Sequence, residues 1–265
     1  MVNVTPDSFS DGGRYDSIDA AVAHAQRLVD EGADIIDIGG ESTRPGAAEV
    51  GLDEERRRVL PVLERLASLD VPVSVDTRKP ELMSEAVTAG ASMINDVEAL
   101  QSAGALAAVA GGNAAVCLMH KRGAPATMQN DPRYDDVVAD IAAFLVDRVR
   151  AVRAAGISDE RIVVDPGFGF GKTLAHNLQL LNRLKEVAPT GVALLAGISR
   201  KSMLGQITGR DAAGRVHASV AAALIAVQNG AHIVRVHDVA ATRDALAVWQ
   251  AVIQDGRGGD SRPKP

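Results

Sequence analysis

Short apolar runs rich in β-branched residues alternate along this chain with longer stretches of helical period. The runs Met1–Val4, Ile35–Ile38, Val73–Val75, Met93–Ile94, Ala115–Leu118, Ile162–Val164, Ala193–Ala196 and Ile233–Val236 read as strands. Between them, Ile18–Glu31, Asp53–Ser68, Pro80–Gly90, Tyr134–Ala155, Leu174–Val187, Ala212–Gly230 and Ala240–Ile253 read as amphipathic helices, with a less regular helical stretch at Gln101–Ala110. Eight β–α units in about 250 residues have the size and rhythm of a (β/α)8 TIM barrel. A doubly wound open sheet is the structural rival, because periodicity does not show closure. Only Met1 and Val2 precede Asn3, so the first strand looks short, and a form extended upstream is expected to melt higher. No linker or low-complexity stretch divides the chain. Residues 1–255 therefore read as one domain, and the Gly-, Asp-, Arg- and Pro-rich segment 256–265 as a disordered tail.

Composition narrows the setting. With 46% apolar but only 3% aromatic residues, the core must be built from Ala, Val, Leu and Ile. The formal charge of −6 argues against nucleic acid or an anionic membrane as a main partner, although a local basic pocket is compatible with it. Cys117, the single cysteine, excludes an intrachain disulfide or a cysteine-rich metal site and suits a small core position. No stretch is long and apolar enough to span a bilayer, and no signal peptide precedes the first polar loop. A cytoplasmic enzyme acting on small molecules is the expectation.

In a barrel the carboxyl ends of the strands open on one face, where catalytic groups gather. Here every strand is followed by polar or glycine-rich chemistry: Asn3–Gly13, Gly39–Gly46, Asp76-Thr77, Asn95-Asp96, Met119-His120, Asp165–Phe170, Gly197–Ser202 and Arg235–Asp238. Asp76, Asn95 and Asp165 make a carboxylate–amide–carboxylate set that complements a fused heterocycle presenting amino and ring N–H donors and one ring acceptor. The same carboxylates could instead hold a metal, and composition does not separate the two. Arg235 and His237 lie two apart, on one face of a strand, and make a small anion clamp. Lys201 stands at a helix start, where free N–H groups favour anions, while Arg200 reads as a solvated surface charge. Arg44 with Asp11 pairs two polar loops that could close over a ligand. The run Gly171-Lys172-Thr173 invites a phosphate-loop reading, but Pro166 stands where that motif needs glycine. His24, His120, His176, His217 and His232 lack metal-ligand spacing and are given no catalytic role.

In this order, these motifs resemble the dihydropteroate synthase family, from Asn3 to about His237. Related pterin barrels of the methyltetrahydrofolate–corrinoid methyltransferases are similar around Asp76, Asn95 and Asp165, but are not expected to share the first loop, the Arg44-Pro45 loop and Ser199–Ser202 together. A catalytically silent pterin-binding paralogue is the other alternative. The resemblance implies a homodimeric barrel that joins 6-hydroxymethyl-7,8-dihydropterin diphosphate to p-aminobenzoate with Mg²⁺, by a dissociative substitution. It implies that Asp76, Asn95, Asp165 and Lys201 hold the pterin. Asn3, Arg235 and His237 would hold the diphosphate, with Asn3 a ligand of the metal. Phe9, Thr43, Arg44, Pro45, Phe170, Lys201 and Ser202 would shape the p-aminobenzoate pocket, and Asp11 would order the closed loops. The unbroken Ser42–Gly46 run adds an expectation of sulfonamide sensitivity.

Overall fold

The structure is a computed structural model that describes residues 1–4, 14–42, 49–123 and 127–258. Eight strands and nine helices are found among the described residues. The first half runs β1 (Val2–Asn3), α1 (Arg14–Asp30), β2 (Ile36–Gly39), α2 (Leu52–Leu66), β3 (Val73–Asp76), α3 (Pro80–Thr88), β4 (Met93–Asp96) and α4 (Ala105–Ala110). The second runs β5 (Ala115–Met119), α5 (Val137–Ala154), β6 (Ile162–Asp165), α6 (Leu174–Asn182), β7 (Ala193–Ala196), α7 (Ser202–Thr208), α8 (Val216–Gln228), β8 (Ile233–Val234) and α9 (Val239–Gly258).

The strands pair in chain order, each parallel to the next, and the sheet curls into a (β/α)8 barrel. The first strand is indeed short, two residues long, and the Met1 nitrogen donates to the Val236 carbonyl across the β8–β1 seam (3.3 Å). Register brings the strand ends level: Asn3 lies opposite Gly39, Gly39 opposite Asp76, Asp76 opposite Asn95, and Met119 opposite Asp165.

Alternation along each strand separates two cores. Outward-facing Ile36, Ile38, Val75, Ile94, Val116, Leu118 and Val164 pack under helices that contribute Leu63, Leu82, Leu145 and Leu180, all within the main buried cluster. Each such side chain contributes about 1.5–3 kcal/mol by leaving water. Inward-facing Met93, Cys117, Val163 and Leu195 form a second, smaller cluster with Ala115, Ala193 and Ile233. This cluster is the apolar part of the barrel interior, and most of the buried polar groups gather one step above it, Ser74 beside Met93 being an exception.

Several differences from the sequence reading have local causes. The strands β2, β3, β4 and β6 run on to Gly39, Asp76, Asp96 and Asp165, so these polar residues lie on the sheet rather than after it. The helix α7 is anticipated only by the helix start at Lys201 and not by any period: it is seven residues long and holds Gly205, too short for a periodic signal. The predicted Leu174–Val187 helix ends at Asn182 and continues as a short 3-10 turn. His176 finds its purpose here, closing a capping box with Thr173 at the start of α6. The helix α9 extends to Gly258, so 256–258 are helical rather than part of a disordered tail, and 259–265 lie outside the described residues.

Candidate active site

The upper tier of the barrel interior collects Asp37 from β2, Asp76 from β3, Asn95 from β4, Asp165 from β6 and Arg235 from the end of β8. Asp37, Asp76, Asn95 and Asp165 are all buried. Arg235 organises this tier. Its Nη2 donates to Asp76 Oδ2 (2.6 Å), and its Nε stands 2.7 Å from Asp37 Oδ2. One guanidinium thus spans two carboxylates of neighbouring strands, the geometry for which a rigid fork is suited. In the same tier Asn95 Oδ1 is buried and has no hydrogen-bond partner among the described residues. A buried amide oxygen without a donor is costly, and this one is open to a ligand N–H.

Asp165 is oriented by its own loop. Its Oδ1 accepts from the Gly167 amide (2.7 Å). That turn needs glycine, because at its φ of +69° a Cβ would lie 1.9 Å from the His120 carbonyl. Gly197 lies beside this carboxylate, where a Cβ would stand in ordinary contact with Asp165 Oδ2 (3.8 Å). Lys201 rises from the N-terminal end of α7, donates to the Phe168 carbonyl and stands 4.4 Å over the Phe170 ring. The loop under Phe170 is stitched by Lys172, whose buried ammonium meets the carbonyls of Gly167 (2.9 Å) and Phe170 (3.0 Å) and His120 Nδ1 (3.0 Å). This is the internal strut of a turn, in keeping with the rejection of a phosphate loop there.

Burial sets the electrostatics. It pushes the Asp76 carboxyl up to about 7, against the pull of Arg235. Burial likewise raises Asp165, with Lys201 opposing. It lowers Lys201 to about 8, with Asp165 holding the proton on. Burial alone would lower Arg235, but Asp37 and Asp76 outweigh it and hold the guanidinium above its ordinary value. His237 is brought down to about 4 by burial and then by Arg200, so its imidazole is neutral at pH 7. Ser199 Oγ contacts His237 Nδ1 (2.9 Å) and accepts from the His237 amide (3.2 Å), which fixes the ring.

Asp76, Asn95, Asp165, Lys201 and Arg235 therefore line one polar wall, and His237 stands two residues beyond Arg235. Asn3 sits beside them at the end of β1, half-buried and in register with Gly39. Phe170 is half-buried beneath Lys201, and Ser202 is exposed at the start of α7. The expectations for Phe9, Asp11, Thr43, Arg44 and Pro45 fall on residues outside the described ones. Among the described residues no three His, Cys, Asp or Glu side chains gather as metal ligands. Sequence reasoning missed Asp37. The available signal is an acid inside the apolar run Ile36-Asp37-Ile38, whereas the chemistry of the other strands stands at their ends.

The family model described as "Pterin binding enzyme" matches residues 1–237. A dihydropteroate synthase of Neisseria meningitidis serogroup C is 54% identical over 257 residues, covering 95% of this chain and 91% of the relative. The chain belongs to the dihydropteroate synthase family. A dihydropteroate synthase of Xanthomonas albilineans, solved with 4-aminobenzoic acid, superposes with a TM-score of 0.90 at 58% identity, covering 95% of this chain and 91% of that one. That of Burkholderia cenocepacia, solved with 7,8-dihydropteroate, superposes with a TM-score of 0.89 at 50% identity, covering 97% and 91%. At these identities the likeness extends to the dihydropteroate synthase family and is not limited to the barrel fold.

Proposed function

We propose that this chain condenses 6-hydroxymethyl-7,8-dihydropterin diphosphate with p-aminobenzoate to give 7,8-dihydropteroate and diphosphate. The observation that carries the reading is the buried wall of Asp76, Asn95 and Asp165, with Asn95 Oδ1 awaiting a donor and Lys201 at its edge. In this reading the Asp165 carboxylate accepts from the pterin amino and ring N–H groups. Asp76 and Asn95 take further ring donors, and the Lys201 ammonium donates to a ring acceptor.

The C–O bond of the pterin methylene breaks with its electron pair going to diphosphate. Arg235 contributes its charge and His237 an N–H to the departing oxygens. The methylene cation is stabilised by the electron-rich pterin and the carboxylates around it. The amine of p-aminobenzoate then forms the new C–N bond and releases a proton, for which no strong base is needed. Phe170 and Ser202, with Phe9, Thr43, Arg44 and Pro45, are assigned to p-aminobenzoate, and Asp11 to loop closure. Magnesium fits this donor set: Asn3 presents one hard oxygen at the mouth, and such an ion takes its remaining ligands from substrate phosphate and water. When bound, it would neutralise charge on the leaving diphosphate.

A homodimer accompanies this reading. Leu178, Ile207 and Ile225 are 44%, 55% and 43% exposed on α6, α7 and α8, and would supply apolar contact surface. Light scattering tests it. No helix among the described residues is long and apolar enough to cross a membrane, in keeping with a proposed place in the cytoplasm. The deciding experiment for the reaction is diphosphate release in the presence of Mg²⁺. Release that requires both substrates supports the reading, and pterin binding without release indicates a silent paralogue.

A further inference from the structure

Arg200, which the sequence presents as a solvated charge, is among the most constrained residues of the site's surroundings. It occupies the third position of the turn closed by Lys201 N and Ile198 O (3.2 Å), with a φ of +57° that glycine or asparagine takes more readily. Its side chain forks onto Asp238, Nε to Oδ2 at 3.0 Å and Nη2 to Oδ1 at 2.5 Å. Its amide donates to Ser219 Oγ (2.9 Å) and its carbonyl accepts from Arg215 Nη1 (2.9 Å). The main-chain and side-chain polar contacts of this one residue hold it in a conformation it would not choose alone.

The two turns joined by the fork carry different halves of the chemistry. The turn after β7 holds Lys201 and Ser199. The stretch after β8 holds Arg235 and His237. We infer that the Arg200–Asp238 pair is a positioning brace that sets the pterin-facing Lys201 and the diphosphate-facing Arg235–His237 pair in register, in parallel with the Ser199–His237 contact. The forked guanidinium at this left-handed position reaches across the β7–β8 seam to a carboxylate and fixes it in two directions. The inference rests on the proposed assignment of Lys201 to the pterin and of Arg235 and His237 to diphosphate.

The test compares wild type with Arg200→Ala, Asp238→Asn, the double variant, and Arg200→Gly, which relieves the backbone while removing the fork. Two affinities are read well below the melting temperature: an oxidised pterin by calorimetry, and inorganic pyrophosphate by inhibition of turnover. Both are expected to weaken together, by about 3- to 10-fold, in each single variant, with the double variant no worse than either single one. Arg200→Gly should melt no lower than Arg200→Ala yet bind both ligands as weakly. Weakening of one ligand alone, additive losses, or affinities within twofold of wild type would overturn the brace. Should the alanine variant not fold, the exchange Arg200→Asp with Asp238→Arg decides the matter, recovery of both affinities supporting the pair and no recovery refuting it. If wild type forms no product, the functional reading fails separately, and pyrophosphate is then followed by calorimetry.

Discussion

The barrel interior has two tiers built by the same strands, two residues apart, and they obey opposite rules. In the lower tier Met93, Val163, Leu195 and Ile233 pack around Cys117. In the upper tier, one step along the strands, stand Asn95, Asp165 and Arg235, with Asp37 and Asp76 beside them. The lower tier is held by burial of apolar surface and tolerates no polar atom without cost. The upper tier is buried too, yet it keeps charges that must offset each other, and it leaves acceptors such as Asn95 Oδ1 open. The difference teaches where stability ends and function begins. A tier shaped for stability alone would not hold a carboxyl raised to about 7 next to a lysine lowered to about 8.

The sharpest way to break the comparison is Asp165→Ala. It should abolish pterin binding and lower turnover by about 1,000-fold or more, while the fold survives because, among the described residues, the carboxylate's hydrogen bond is to its own loop. Unchanged calorimetric binding of an oxidised pterin would remove Asp165 from the site. Arg235→Met should come next in size, destabilising by about 3–5 kcal/mol at pH 8 because Asp37 and Asp76 lose their shared cation. That loss should shrink at pH 5, where the raised Asp76 carboxyl is protonated and no longer needs the cation; equal urea-unfolding losses at both pH values would contradict it.

In the lower tier, Leu195→Ala should cost about 2–4 kcal/mol of stability by leaving a cavity, with pterin affinity changed less than twofold. A larger affinity change would show that the tiers are not separable. The smallest effect is a pH dependence. Asp76 has its carboxyl raised from 3.8 to about 7 by burial, so between those values the folded state binds more protons than the unfolded one. Its contribution to stability is therefore present below 3.8 and is lost as pH rises through 7. Urea unfolding of Asp76→Asn should lack this slope between pH 5 and 7.5, a difference of about 2–3 kcal/mol, and an unaltered slope would assign it elsewhere.

Much of this was legible in the chain itself. Alternation of apolar runs with helical period located all eight strands, because a strand's two faces and a helix's stripe are local properties of sequence. The same logic brought out Asp76, Asn95, Asp165, Lys201, Arg235 and His237, since polar residues closing apolar runs stand out against them. Boundaries were less legible, as α7 shows, because seven residues interrupted by glycine carry no period. Asp37 was hidden for the opposite reason, as one acid within an otherwise apolar strand.

What tertiary structure alone decided is which of these groups meet. Arg235 is 159 positions from the Asp76 it pairs with, and Arg200 is 38 from Asp238. Sequence determines the faces, caps and turn chemistry through interactions within a few residues. Contacts across the barrel depend on strand register and curl, which arise only when all eight strands pack together. Hence the sequence alone establishes eight β–α units with polar strand ends, whereas the folded chain decides that the sheet curls into a barrel, that Arg235 spans two buried carboxylates and that Arg200 is bound rather than solvated.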